Sequence, residues 1–223
     1  METERYQRRY VLGLAGLFLL VWAGLAIAPY DRHDWLLENM LVFGLVAALL
    51  LGHRYYVPSP SAATLIFLYL CIHQLGAHYT YAHVPYNDWW QALTGETLDH
   101  QMGWERNQYD RLAHFSYGLL LAYPMREVLI RLGLRPGLWS LVLPVDIVLS
   151  TSAIYELIEW VGGEFLGDGL GRTFLATQND RWDPQKDMAV AAFGALIAML
   201  ATALATRMRH ARADARPQAS AQA

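Results

Sequence analysis

Cysteine is almost missing from this chain. Cys71 is the single one in 223 residues, so no intramolecular disulfide can form, and its place inside an apolar stretch reads as a small packing residue. Lysine is as scarce: Lys186 stands alone against sixteen arginines, a usage typical of GC-rich bacterial genomes. No Cys/His spacing fits a zinc finger, and no phosphate loop, dinucleotide fingerprint or internal repeat occurs. The apolar runs lack the period-two alternation of a membrane β-barrel. Basic residues are dispersed along the chain, so no nucleic acid is expected among its partners.

Apolar residues are what the chain has, at 55%, against 17% charged. Six segments, 11–28, 35–52, 62–77, 112–130, 138–160 and 188–206, read as membrane spans. Most approach the roughly 20 residues that cross about 30 Å of hydrocarbon. Soluble helices would show polar faces that these segments mostly lack. The first apolar run also exceeds the roughly 7–15 residues of a signal-peptide core, which favours an uncleaved helix. The expectation is therefore an all-α, polytopic membrane protein: a bundle of about six transmembrane helices forming one domain over 1–206. A basic cytoplasmic tail, 207–223, is expected to be disordered.

An even number of spans puts both termini on one side. That side collects eleven of the seventeen basic residues, among them Arg5, Arg8, Arg9, Arg126, Arg131, Arg207 and Arg209, which makes it the cytoplasmic one. Trp35, Trp89, Trp90, Trp104, Trp160 and Trp182 fall on the opposite ends and loops, as an aromatic belt does. The long tyrosine- and tryptophan-rich outer loop, 78–109, is expected to hold a short interfacial helix near Trp89.

The ionisable residues gather on that outer side. Asp110 and His114, four apart, share a helix face at the start of the fourth segment. Glu156 and Glu159 close the fifth, with Tyr155 beside them, and Asp180, Asp183 and Asp187 lead into the sixth. Titratable groups collected at one membrane depth mark a site or an ionic network. His114, Glu156, Glu159 and Asp110 are the candidate catalytic residues, with Asp110 orienting the imidazole through one nitrogen and leaving the other free. His114, Glu156, Asp183 and Asp187 form a candidate metal set, whose oxygen-rich chemistry suits Mg²⁺, Mn²⁺ or Zn²⁺. Arg111 and Arg181, with Tyr155, are candidates for holding an anionic headgroup. Alternatively, Arg106, Arg111, Arg181 and Lys186 neutralise the acids in a structural network. His73 reads as a packing histidine. Asp146, deep in the fifth segment, is expected to pair with Arg126.

At these residues the chain resembles the YjdF-like family of bacterial inner-membrane proteins. The matching segments are HYTYAHVP (78–85), RNQYDRLAHF (106–115), MREVL (125–129), SAIYELIEW (152–160) and TQNDRWDPQKDM (177–188). The family usually reads glycine where this chain has Ala176 and Asn179. The resemblance implies a six-helix, multi-pass protein of the bacterial cytoplasmic (inner) membrane and carries no reaction with it. A more distant likeness is to VanZ-like proteins, linked to glycopeptide-antibiotic tolerance. Their Asp-x-x-x-His-Phe, Glu and paired-Asp pattern looks like Asp110, His114, Phe115, Glu156, Asp183 and Asp187, with Ala191 where they carry asparagine. That likeness implies the cell envelope and a lipid or lipid-linked substrate. The leading expectation is thus an outer-leaflet enzyme or binder for such a substrate. A non-catalytic scaffold and a proton- or ion-coupled transporter using Asp146 and Glu156 are the alternatives. Oligomeric state has no signature in the sequence.

Overall fold

A computed structural model describes residues 2–165 and 180–214. Eight helices and no strand occur among the described residues: α1 (Glu2–Leu25), α2 (Arg32–Gly52), α3 (Pro60–His78), α4 (Tyr86–Thr94), α5 (Leu98–Met102), α6 (Tyr109–Arg131), α7 (Trp139–Phe165) and α8 (Asp183–Asp214). Five of them, α1, α2, α3, α7 and α8, are long and apolar enough to cross a membrane. The all-α membrane architecture is as expected.

The fourth expected span, 112–130, departs from the expectation. It lies within α6, whose 23 residues reach about 34 Å, but α6 is not apolar enough to count by composition. The reason is its position. It packs against α3, α7 and α8, most extensively α8, so it meets protein on most sides and carries Asp110, Arg111, His114 and Ser116 there. A helix surrounded by helices need not be apolar.

The α6–α8 seam depends on small residues. A Cβ on Gly118 would lie 1.8 Å from the Ala191 carbonyl oxygen, and one on Gly194 would lie 2.3 Å from that of Phe115. Ala191 and Ala195 are fully buried beside them. Such close backbone approach is the usual way helices associate where lipid removes the hydrophobic drive.

α2 is inverted relative to a soluble helix. Its buried residues are Asp34, Trp35, Glu38, Asn39 and Val42, while Leu36, Met40, Leu41, Phe43 and Leu50 are exposed. Polar groups inward and leucines outward is what a hydrocarbon solvent selects. Asn39 accepts from the Trp22 indole at 2.7 Å and the Gln74 amide at 3.0 Å, tying α2 to α1 and α3.

Hydrogen bonds at the two ends fix the bundle. At one end Gln7 donates to the Val57 and Pro58 carbonyls, and Glu127 accepts from Tyr56 and from the Ser59 amide. At the other, the Tyr30 amide donates to the His78 carbonyl at 2.8 Å, bringing the α1–α2 turn against the end of α3. The starts of α2, α6 and α8 and the ends of α1 and α3 converge there. The expected short helix near Trp89 is α4, with Trp89 and Trp90 partly exposed.

Two further expectations fail. α8 continues to Asp214, eight residues into the segment expected to be a disordered tail; residues 215–223 lie outside the described part. The run from Ala203 to Ala213, rich in the strong helix formers alanine and arginine, continues α8. Asp146 forms no ion pair with Arg126 among the described residues: it is exposed, on the outward side of α7.

Candidate functional site

Helix spacing assembles the site residue by residue. His114 follows Asp110 by one helical turn on α6, and its Nε2 lies 3.8 Å from Asp110 Oδ1 and 3.5 Å from Glu156 Oε1 of α7. The other nitrogen, Nδ1, lies 3.5 Å from the Ser152 hydroxyl, which stands one turn before Glu156. Both carboxylates thus approach the same imidazole nitrogen. The expected division, with Asp110 on one nitrogen and the other open, is replaced by a shared Nε2 facing two acids.

Asp183 and Asp187 occupy the first turns of α8, where carboxylates complement the helix dipole. They are 2% and 1% exposed. Asp183 pairs with Arg106 at 2.6 Å and with Arg111 at 3.2 Å. Arg111 also binds Asp180 and lies 4.0 Å from Asp187. Asp180 further accepts from Lys186 at 2.6 Å, and Lys186, the Trp182 amide and Arg111 together hold its carboxyl well below the usual carboxylate range. Arg111 is therefore committed to carboxylates of its own chain. Arg181 stacks its guanidinium 5.2 Å from the Trp182 ring at the surface. Neither lines the cavity described below.

The acids thus divide into two groups. Asp180 and Asp183 are neutralised by arginine and lysine. Asp110 and Glu156 form no arginine ion pair among the described residues, and their close basic neighbour is His114. Asp110, His114 and Asp187 each offer one ligand atom within 4.8 Å of the others. Glu156 Oε1 and Asp187 Oδ1 are buried without a hydrogen-bond partner among the described residues. An orphaned buried carboxylate oxygen is costly unless a proton or cation completes it. The residues that converge are Asp110, His114 and Asp187, with Glu156 beside His114; Asp183, expected in this set, is not among them.

A second polar group, unforeseen from sequence, faces the first. Glu38 of α2, 3% exposed, accepts from the Tyr155 hydroxyl at 3.1 Å on both oxygens and is approached by Tyr81 at 3.4 Å. The Tyr81 hydroxyl lies 2.6 Å from His73 Nδ1, whose Nε2 contacts the Glu38 carbonyl at 3.3 Å. Tyr81 and Thr80 follow α3 with φ of 52° and 50°, a left-handed conformation uncommon for bulky residues. Gly76 makes room for the ring, since a Cβ there would lie 2.4 Å from Tyr81. Burial, and then the nearby Glu38, push the Tyr81 hydroxyl well above its ordinary pKa. Asp34 and Glu38, four apart at the start of a leucine-rich segment, were the available signal.

Between the two groups runs a cavity of about 290 Å³, walled by α2, α3, α6 and α7. One end is polar, with His73, Tyr81, Asp110, His114, Ser152 and Tyr155; its body is lined by Leu41, Val42, Leu45, Leu70, Leu121 and Met125. From Asp110 to Met125 it follows α6 for about 22 Å at 1.5 Å per residue. α2 and α7 do not approach one another along their backbones, and the Tyr155–Glu38 hydrogen bond bridges them. Leu41 and Thr151, which line the cavity from these two helices, are both exposed.

Residues 10–208 match the family described as "Predicted membrane protein (DUF2238)". The chain belongs to this family. It is 38% identical over 183 residues to the inner membrane protein YjdF of Escherichia coli strain K12, the alignment covering 82% of each chain. The YjdF-like resemblance read from the motifs is therefore correct, and the chain is a multi-pass inner-membrane protein. No solved structure matches it.

Proposed function

We propose that this protein takes a lipid or lipid-linked molecule from the outer leaflet into the cavity and acts on its head at the His114 centre. The observation that carries this is the cavity itself: polar at one end, apolar along its length, and bordered by exposed residues of two helices that stand apart. Ligand sites are commonly mostly apolar clefts with a few convergent polar groups. The arginine distribution supports a periplasmic position for the polar end.

Asp110, His114 and Asp187 are the ligands for a divalent cation, with Glu156 as a further ligand or as the general base. The orphaned oxygens of Glu156 and Asp187 support that assignment. Mg²⁺, Mn²⁺ and Zn²⁺ all suit two or three carboxylates and one imidazole. Glu159 follows Glu156 by three residues on α7, on the same helix face, and acts through it. Arg111 acts as the structural counter-ion of α8 and has no headgroup role. The transporter reading loses Asp146, which does not line the cavity.

Mass spectrometry on protein purified in lipid-bilayer discs tests both halves. Wild type is expected to retain about one lipid and one divalent metal ion per chain. Leu121→Trp, which fills the apolar body, loses the lipid and keeps the metal; His114→Ala loses the metal. Equal lipid retention in wild type and Leu121→Trp contradicts the cavity's role, and wild type without metal leaves Glu156 and His114 as an acid–base pair.

A further inference from the structure

One helical turn deeper than the His114 centre, the cavity has a second polar tier. Tyr69 stands four residues before His73 on α3, Tyr117 three after His114 on α6, and Thr151 four before Tyr155 on α7. α3 and α7 run towards the polar end and α6 away from it, so all three offsets lead the same way, about 4.5–6 Å down the cavity. The rings of Tyr69 and Tyr117, with centroids 5.6 Å apart, lie side by side, and Tyr117 Oη is 2.6 Å from Thr151 Oγ1. A hydroxyl has one proton to give. Thr151 gives its own to the Ile147 carbonyl at 2.6 Å, so it accepts the proton of Tyr117. The Tyr69 hydroxyl lines the cavity and makes no hydrogen bond among the described residues. One phenol proton is thus left over, in a tier bordered by Leu45, Leu70 and Leu121. A donor so placed is costly unless an acceptor meets it.

We propose that Tyr69 donates to an ester carbonyl of an acyl glycerolipid whose phosphate lies at the His114 centre. The proposal rests on the lipid reading above and adds the class of lipid: acyl glycerolipid, not isoprenoid-linked. Phosphate oxygens are hard ligands that complete a divalent cation held by carboxylates and an imidazole. A glycerophospholipid carries its ester carbonyls a few bonds below that phosphate, which matches the one-turn step from the cation centre to Tyr69. A carbonyl only accepts, so it meets the one donor the second tier has free. An isoprenoid chain has no carbonyl, and an ether oxygen is a weaker acceptor; either leaves the Tyr69 proton poorly paired. A site built to hydrogen-bond one group rejects an analogue lacking it more strongly than it rejects a change of bulk. Tyr69 is therefore a specificity-determining residue, separate from the groups that hold the cation.

The test uses full-length protein in discs holding equal parts of diacyl phosphatidylglycerol and its dialkyl ether analogue, with the same head and chain length. The retained lipid is read by native mass spectrometry. Wild type is expected to retain the diacyl lipid about fivefold over the ether, the worth of about one hydrogen bond. Tyr69→Phe removes the hydroxyl and keeps the ring, and the preference is expected to fall below about twofold. Tyr117→Phe is expected to keep it, because that proton already goes to Thr151. Tyr69→Leu also lacks the hydroxyl and replaces Tyr69→Phe if that variant does not accumulate. Equal retention of the two lipids by wild type overturns the carbonyl contact while leaving the lipid site standing. A preference that survives loss of the Tyr69 hydroxyl, or that falls as far in Tyr117→Phe, overturns the assignment to Tyr69. Retention of neither lipid removes the lipid reading itself.

Discussion

Arg111→Leu is expected to lower stability by about 3–5 kcal/mol, the range seen when one partner of a buried ion pair is removed. The guanidinium serves three carboxylates: Asp180, Asp183 at 3.2 Å and Asp187 at 4.0 Å. Asp183 keeps Arg106, but Asp187 is 1% exposed and loses its nearest cation. For a chain of this size that corresponds to a fall of about 6–20 °C in apparent Tm. The measurement is thermal unfolding in bilayer discs, and a shift under about 2 °C would show that α8 does not depend on this ion pair. The same variant separates the two groups of acids, because a headgroup-binding role for Arg111 would instead show as lost ligand at unchanged stability.

Gly118→Val is expected to disrupt the bundle. Its Cβ would meet the Ala191 carbonyl oxygen at 1.8 Å, and the Ala195 amide nitrogen at 2.8 Å. Both are backbone atoms on a helix and cannot rotate away, so α6 and α8 must separate. Overpacking alone costs about 1–3 kcal/mol. Separation adds the loss of packing around Ala122, Val148, Ala191 and Ala195 in the same core. It also draws Asp187 away from Asp110 and His114, so metal retention should fall together with stability. Yield after membrane extraction and the unfolding temperature read the first effect, and metal content reads the second. Gly118→Val accumulating as stable, metal-loaded protein would mean the two helices are not in such close contact.

Much of this architecture is written in the chain's local pattern. Five apolar segments became five spanning helices because hydrocarbon leaves the backbone no alternative to internal hydrogen bonding. The Asp110–His114, Glu156 and Asp187 convergence was legible because helix periodicity and alternating direction fix both face and end. α6 was harder to judge: its role as the central helix depends on which neighbours surround it, and composition reports only that it is less apolar. Glu38 was missed for a related reason. A carboxylate in a leucine-rich segment looks like a flaw in a span until Tyr155 and Tyr81, distant in sequence, are seen to donate to it or approach it. Which acids belong to arginine and which to His114 was also illegible, since ion-pair partners are chosen by three-dimensional distance. Asp183 and Asp187 look equivalent in sequence, yet one is held by two arginines, while the other, 4.0 Å from Arg111, also converges on the histidine.

Central to this account is that the carboxylates around His114 are kept for function at some expense of stability, as functional sites commonly are. The most direct test is thermal unfolding of Glu156→Gln beside wild type, both stripped of metal by a chelator. Glu156 is buried with one oxygen unpaired among the described residues, 3.5 Å from His114 Nε2, which Asp110 also approaches. Neutralising it should relieve crowding of like charge, so the unfolding temperature is expected to stay level or rise. A fall as large as that for Arg111→Leu would show that Glu156 and His114 form a structural ion pair, and would contradict a functional site there.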